Sequence, residues 1–438
     1  MAIIRPASPT RRRPAALLLA LALAAGATAC GGDESDDGDA AVGDVVVVKA
    51  DVERAASPSD AAVDEVVAGL DAFTLASEQL AAAETGGNTV LSPVSIATAF
   101  AMVSAGTDEA TTGRIADVFG FPDQAALHEA MNSLTATLDD ANQTGHERGD
   151  VVLDTVNTLW AQSGFDIEPA FLDTLAAQYG AGVPTTDFES DPEGAREAIN
   201  DSVAEATRDR IPDLMPEGAV TDDTRAVVVN AIYMKAPWAT EFSEDATAPG
   251  DFHLVDGSTV ELPMMHDGSL TARAAVGDGY TAVEVPYLGG DLAMLLVVPD
   301  GSTPLDDVLA GLGEGGLGTV TDSLTGATVD LTLPRWDTGG ATDLAPLLTD
   351  LGLPIPGGAL PGVAPDLEIG AAVHAANITV DEAGTEAAAA TAVELGVTSA
   401  PLEDEIVTVV ADRPFFFAVR HVETGAPLFA GRVTDPRG

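Results

Sequence analysis

The chain has 438 residues, enough for one large domain or two ordinary ones, and its 46% hydrophobic content supplies a core and excludes a disordered body. Seventy acidic residues against 19 basic ones leave a formal net charge of −51, with Lys49 and Lys235 the only lysines. A field of that sign repels nucleic acid and anionic lipid head groups, so neither is an expected partner.

The first thirty residues read as an address. Arg11, Arg12 and Arg13 precede an apolar run from Pro14 to Ala25, then small residues up to Cys30. That layout is a secretory signal over residues 1–29, too short and too closely followed by acidic sequence to span a membrane. Cys30 is the only cysteine, which rules out an internal disulfide. Its place after Ala27, Thr28 and Ala29 is similar to a bacterial lipobox, with Ala27 where Leu is usual. Lipidation of Cys30 is therefore expected, with plain secretion to the outside as the alternative. Residues 31–62 are rich in Gly, Asp, Ala and Ser and, apart from Val45 to Val48, lack core material. They read as a disordered acidic tether, which leaves 63–438 as the globular domain.

Within that domain, apolar residues from Val63 to Glu84 recur at helical spacing, and Ser92-Pro93 announces a second helix from Ser95 to Ala105. Further helices are predicted over Glu109 to Phe119, Gln124 to Leu138, Pro169 to Tyr179 and Pro192 to Arg208. Strands are predicted at Val151 to Trp160, Ala226 to Met234, Ala282 to Pro286, Ala293 to Val298, Val329 to Pro334, Ile378 to Val380 and Val407 to Val410. A hairpin joins Phe415 to His421 with Leu428 to Val433. Helices crowd the first half and strands the second, the pattern of an α+β fold with large, mostly antiparallel sheets. The Pro/Gly-rich run from Leu353 to Pro365 reads as a loop.

Several chemistries lack support. Gly313 to Gly318 (GEGGLG) matches a dinucleotide fingerprint in letters only, because it follows a helical stretch rather than a strand and reads as a helix-ending loop. Six scattered histidines without cysteine partners give no metal site, and no Gly-x-Ser-x-Gly elbow marks a hydrolase. No cofactor is expected, and the chain does not read as an enzyme.

Residues 382–392 (EAGTEAAAATA) carry two signals at once. Local propensity favours a helix capped by Thr385 and stopped by Gly396. Read with period two, Thr385, Ala387, Ala389, Thr391, Val393 and Leu395 share one face, and Glu386 and Glu394 the other, as a half-buried strand requires. A segment patterned both for solvent and for a sheet is a candidate two-state element.

Four blocks in order repeat the signatures of one family: Asn88 to Met102 (NTVLSPVSIATAFAM), Asn230 to Phe242 (NAIYMKAPWATEF), His374 to Ala390 (HAANITVDEAGTEAAAA), and Arg413 to Phe416 (RPFF) continuing to Pro427 to Val433 (PLFAGRV). The chain resembles the serpins over about Val63 to Pro436. The resemblance implies three sheets, about nine helices and an exposed reactive loop. It implies a monomeric inhibitor of serine proteases whose loop, once attacked, inserts into the main sheet and carries the acylated protease with it. The implied hinge comprises Glu382, Gly384, Thr385, Ala387, Ala388, Ala389 and Ala390, with Thr385 the first inward side chain to enter. Counting seventeen residues from Glu382 puts the reactive bond at Thr398–Ser399; the long stretch before Pro414 leaves Ala400 to Glu403 as the alternative. Ser92, Ser95, Asn230 and His374 match a polar cluster beneath the main sheet, and Trp238 an aromatic where the loop enters. With no Arg, Lys or aromatic residue from Val393 to Glu405, elastase-like or subtilisin-like proteases are the expected partners. The alternatives are a non-inhibitory serpin acting as a binder or carrier, and an unrelated cell-surface binding lipoprotein.

Overall fold

The computed structural model describes residues 45–56, 60–146, 148–385 and 406–438. Nine α-helices and two large sheets, one of seven strands and one of nine, organise these residues, with a two-stranded ribbon beside them. Several helices begin where short polar side chains can take up free amide groups. Ser92 Oγ accepts from Ser95 N–H at 3.3 Å ahead of Pro93–Ser104, Asp108 caps Glu109–Phe119 and Asp123 caps Gln124–Asp140. Gly120, at φ 64°, closes the second of these in the left-handed conformation that suits a residue without Cβ. Pro93–Ser104 is buried along its whole length, the mark of a helix inside the core rather than on its surface.

The seven-stranded sheet positions everything that follows. Its order is Val46–Val48, Val183–Thr186, Val152–Gln162, Ala226–Pro237, Gly384–Thr385, Ala371–Val380, Trp336–Asp343. One face lies on the main core. Over the other lies the helix Pro192–Ala206, whose Ala195, Ala198, Ile199 and Val203 belong to one buried apolar cluster with Trp160, Val227, Val229, Ala231, Val373 and Ala375.

Several expectations need correction. The tether does not run to residue 62: Val46–Val48 is the sheet's outermost strand, antiparallel to Val183–Thr186, and Arg54 bonds Asn132 and Thr135 on the Gln124–Asp140 helix. The predicted helix 169–179 is α-helical only over Pro169–Thr174 and widens to a π-helix over Leu175–Tyr179. The GEGGLG run is not a simple loop: a 3-10 turn at Gly313–Gly315 leads straight into the helix Gly316–Ser323. Ile378 to Val380 is only the end of a strand that starts at Ala371. The strands with no sequence signal read from them include Ala248–His253, Thr259–Val276 and Trp336–Asp343. The glycines and prolines within these strands break the alternation by which strands are recognised.

Candidate functional site

The centre of the seven-stranded sheet is a seam. Ala371 to Ala376 pair in parallel with Val227 to Ile232, so the two strands are closed against each other over this stretch. Further along they part, and Gly384–Thr385 sits between them, antiparallel to both: Gly384 opposite Pro237, Thr385 opposite Ala236 and Val380. Gly384, at φ 151°, leaves no room for a side chain, since a Cβ there would lie 2.3 Å from the Ala236 carbonyl oxygen. Thr385, expected as the first side chain to enter the sheet, is already inside it and buried.

The turn leading into this short strand is tied down residue by residue. Asp381 Oδ1 accepts from the amides of Ala383 and Gly384 at 2.9 and 3.2 Å. Trp238 donates its indole N–H to the Asp381 carbonyl at 2.9 Å and its backbone N–H to Ala383, while Phe242 N–H reaches the Glu382 carbonyl. The Trp238 ring stacks on Tyr287, centroids 4.5 Å apart and planes within 8°. The Tyr287 hydroxyl in turn meets the Thr385 hydroxyl at 2.7 Å. Glu382 is buried, and its carboxylate accepts from Arg335 (Nε at 2.9 Å, Nη2 at 2.5 Å) and Thr247 (2.6 Å). Burial alone would raise the Glu382 carboxyl; the Arg335 and Thr247 hydrogen bonds outweigh it and hold the group below its ordinary value.

Beneath the closed part of the seam, Ser92, Ser95, Asn230 and His374 come together and are buried. His374 Nε2 accepts from Ser92 N–H at 3.0 Å, so Nδ1 carries the ring's proton and donates to Asn230 Oδ1. Asn230 Nδ2 donates to Ser95 Oγ at 2.5 Å, and the amide of Asn157 on the Val152–Gln162 strand closes the group. Burial pushes His374 down to about 3, so the imidazole is neutral at ordinary pH. His374 and Asn230 are opposite each other across the parallel seam, which makes their hydrogen bond a side-chain clasp on the two strands that must part if a new one enters.

Sequence reasoning missed Tyr287, Arg335, Thr247 and Asn157. Each lies far along the chain from its partner, and none carries a local signal. Ala387, Ala388, Ala389, Ala390, Thr398, Ser399 and Cys30 fall outside the described residues. Among the described residues, no group of His, Cys, Asp or Glu is placed to hold a metal ion, and no helix is long and apolar enough to cross a membrane.

Residues 70–436 match the family model described as Serpin (serine protease inhibitor). The chain belongs to the serpin family. Among serpin relatives, antithrombin-III of Mus musculus is 32% identical over 365 residues, covering 80% of this chain and 76% of that protein. Leukocyte elastase inhibitor of Sus scrofa is 34% identical over 366 residues, covering 80% and 93%. The crystal structure of Serpin48 from the insect Tenebrio molitor superposes with a TM-score of 0.72 at 25% identity, over 85% of this chain and 98% of that one. Thyroxine-binding globulin in complex with thyroxine gives 0.73 at 25% identity, over 85% and 99%. The architecture described above is thus the serpin fold, α+β as the sequence leads one to expect.

Proposed function

We propose that this serpin is a suicide-substrate inhibitor of serine proteases. The observation that carries the reading is Thr385: the start of the hinge already lies between two strands closed below it, antiparallel to both, on the path a longer insertion follows. The names of two relatives, antithrombin and elastase inhibitor, point the same way. In this reading the serine of the protease attacks the Thr398 carbonyl, the Thr398–Ser399 bond breaks, and an ester joins Thr398 to the protease. The freed strand then runs down the seam before water can release the enzyme. Ala387 to Ala390 have little bulk to obstruct entry and little rotamer entropy to lose. Val393 and Leu395 each gain roughly 1.5–3 kcal/mol on full burial, and each new ladder hydrogen bond roughly 0.5–1.5 kcal/mol. The native form is then a kinetic trap rather than the most stable state.

Small residues around Thr398 suit the shallow pockets of elastase-like or subtilisin-like enzymes. The protein acts as a monomer outside the cell, held at a membrane only by a lipid on Cys30. A panel of serine proteases on denaturing gels tests the inhibitory reading. SDS-resistant adducts with elastase or subtilisin, and none with trypsin, are expected. Cleavage without adducts across the panel sinks it in favour of a binder or carrier, and adducts with trypsin alone overturn the assigned specificity.

A further inference from the structure

The short strand Gly384–Thr385 fixes a register as well as a direction. Thr385 lies opposite Ala236 on one side and Val380 on the other, so a chain continuing down the seam sets Glu386 opposite Lys235 and Thr379. Carried further, that register brings Thr391 level with both Asn230 and His374. These two are already opposite each other in the closed seam, so the flanking strands agree on every rung between. Ala390 falls between Ala231 and Ala375, and Ala392 between Val229 and Val373, all four neighbours belonging to the buried apolar cluster. The loop thus offers alanine to the apolar rungs and a carboxylate to the lysine.

Lys235 is placed to take it. It is the only residue of Ala226–Pro237 that is not buried, and it is one of two lysines in a chain of net charge −51. Its partner on the neighbouring strand is Val152, and the acidic residues flanking Val152 are engaged elsewhere: Asp154 with Arg208 at 3.1 Å, Asp150 with the Gly145 amide at 2.7 Å. Among the described residues, none holds the Lys235 ammonium in a hydrogen bond or ion pair. On the far side of the gap the Thr379 hydroxyl donates to Asp337 at 3.1 Å, so that strand offers an entering carboxylate no positive charge. In so negative a body, a glutamate enters the sheet against the field unless a cation meets it.

We infer that Lys235 is a positioning residue for loop insertion: it receives Glu386, the residue that follows Thr385, and so sets the register in which the rest enters. Directly opposite side chains on antiparallel strands stand about 4.5–5.5 Å apart at Cβ, within reach for opposite charges to attract. A slip of one residue would turn the alanine face to the wrong side of the sheet, and a slip of two would carry Glu386 past its lysine to Tyr233. The pair is made in the first step beyond Thr385, so it is in place before the later rungs form and acts on the barrier as well as on the final state. The inference rests on the inhibitory reading and adds to it the residue that sets the register.

The test uses the full chain and two readouts. The first is uptake of a synthetic peptide copying residues 386–397 (EAAAATAVELGV), followed on native gels, which needs no protease. The second is the number of inhibitor molecules consumed per protease trapped. Lys235→Glu is expected to slow uptake of this peptide at least fivefold and to raise consumption severalfold. A peptide carrying Glu386→Lys should enter wild type slowly and Lys235→Glu at close to the original rate, and the double variant Lys235→Glu/Glu386→Lys should recover most of the trapping. Lys235→Met keeps the length without the charge and should take up the two peptides at similar rates. A peptide carrying Glu394→Lys, whose changed residue falls opposite Val227, should gain nothing from Lys235→Glu. Uptake of both peptides at the wild-type rate in Lys235→Glu, equal slowing of both, or a preference that survives in Lys235→Met overturns the assignment of Lys235 alone. A wild-type protein that neither takes up peptide nor traps protease overturns the inhibitory reading first, and the role of Lys235 with it.

Discussion

The hydroxyls of Tyr287 and Thr385 meet at 2.7 Å in the interior, 98 residues apart in sequence. Tyr287 ends its reach there because its ring is fixed against Trp238, and Thr385 because its backbone is already paired on both sides. The pair fastens the first inserted residue of the hinge to the packed core.

Removing one hydroxyl leaves the other buried without a partner, at about 1–3 kcal/mol, whereas removing both is nearly neutral. Tyr287→Phe and Thr385→Val should therefore each lower the stability of the native protein, with the double variant recovering much of the loss. Denaturant unfolding of the four proteins gives the coupling, expected at about 1 kcal/mol. Strictly additive losses would show that the contact contributes nothing of its own.

Thr385→Arg places a charge where the native side chain is 1% exposed. The arginine must leave the seam or be buried unpaired at a cost of several kcal/mol. A rise of about 1.4 kcal/mol in the insertion barrier shifts the race tenfold towards hydrolysis. The variant should be cut at Thr398–Ser399 yet release active protease, and its cleaved form should gain less heat resistance than cleaved wild type. Trapping at wild-type efficiency contradicts the insertion reading.

His374 gives a pH dependence with a definite sign. Its folded value of about 3 lies below the ordinary 6.5, so the unfolded chain binds the extra proton between these limits. Its contribution to stability is full above about pH 6.5 and is lost as the pH falls towards 3, at up to roughly 1–1.5 kcal/mol per pH unit. Stability measured from pH 7 to pH 4 should fall less steeply in His374→Gln than in wild type. Equal slopes in the two proteins would count against a neutral, clasped imidazole.

Cys30→Ser tests the proposed anchor. Loss of the lipid should move the protein from the membrane fraction to the medium. A mature terminus mapped away from Cys30, or an unchanged distribution, leaves secretion alone.

What was legible in the sequence was local. Asp108 and Gly120 bracket the helix Glu109–Phe119 with ordinary capping chemistry, and the period-two pattern beginning at Thr385 puts that residue on an inward face, where it lies. The strand Trp336–Asp343 was not legible, because its reason is tertiary. Gly339 is needed where the neighbouring strand comes close, a Cβ there falling 2.6 Å from the Ala376 carbonyl oxygen. Arg335 is likewise silent in its own neighbourhood: its role lies in reaching a carboxylate 47 residues further on. Glu382 could be counted as the start of the hinge, but nothing near it said what would hold it.

The direction of the strands at the seam has a consequence of its own. Ala371 to Ala376 and Val227 to Ile232 run the same way, whereas Gly384–Thr385 runs against both. Each residue that follows Thr385 into the gap replaces a slanted parallel rung with straighter antiparallel ones on either side, the more stable pairing per residue. In the inhibitory reading the sheet therefore works as a ratchet: every step inward adds a rung that a step outward must break. Its resting form stays ready because the first notch is already engaged above strands that are still closed on each other.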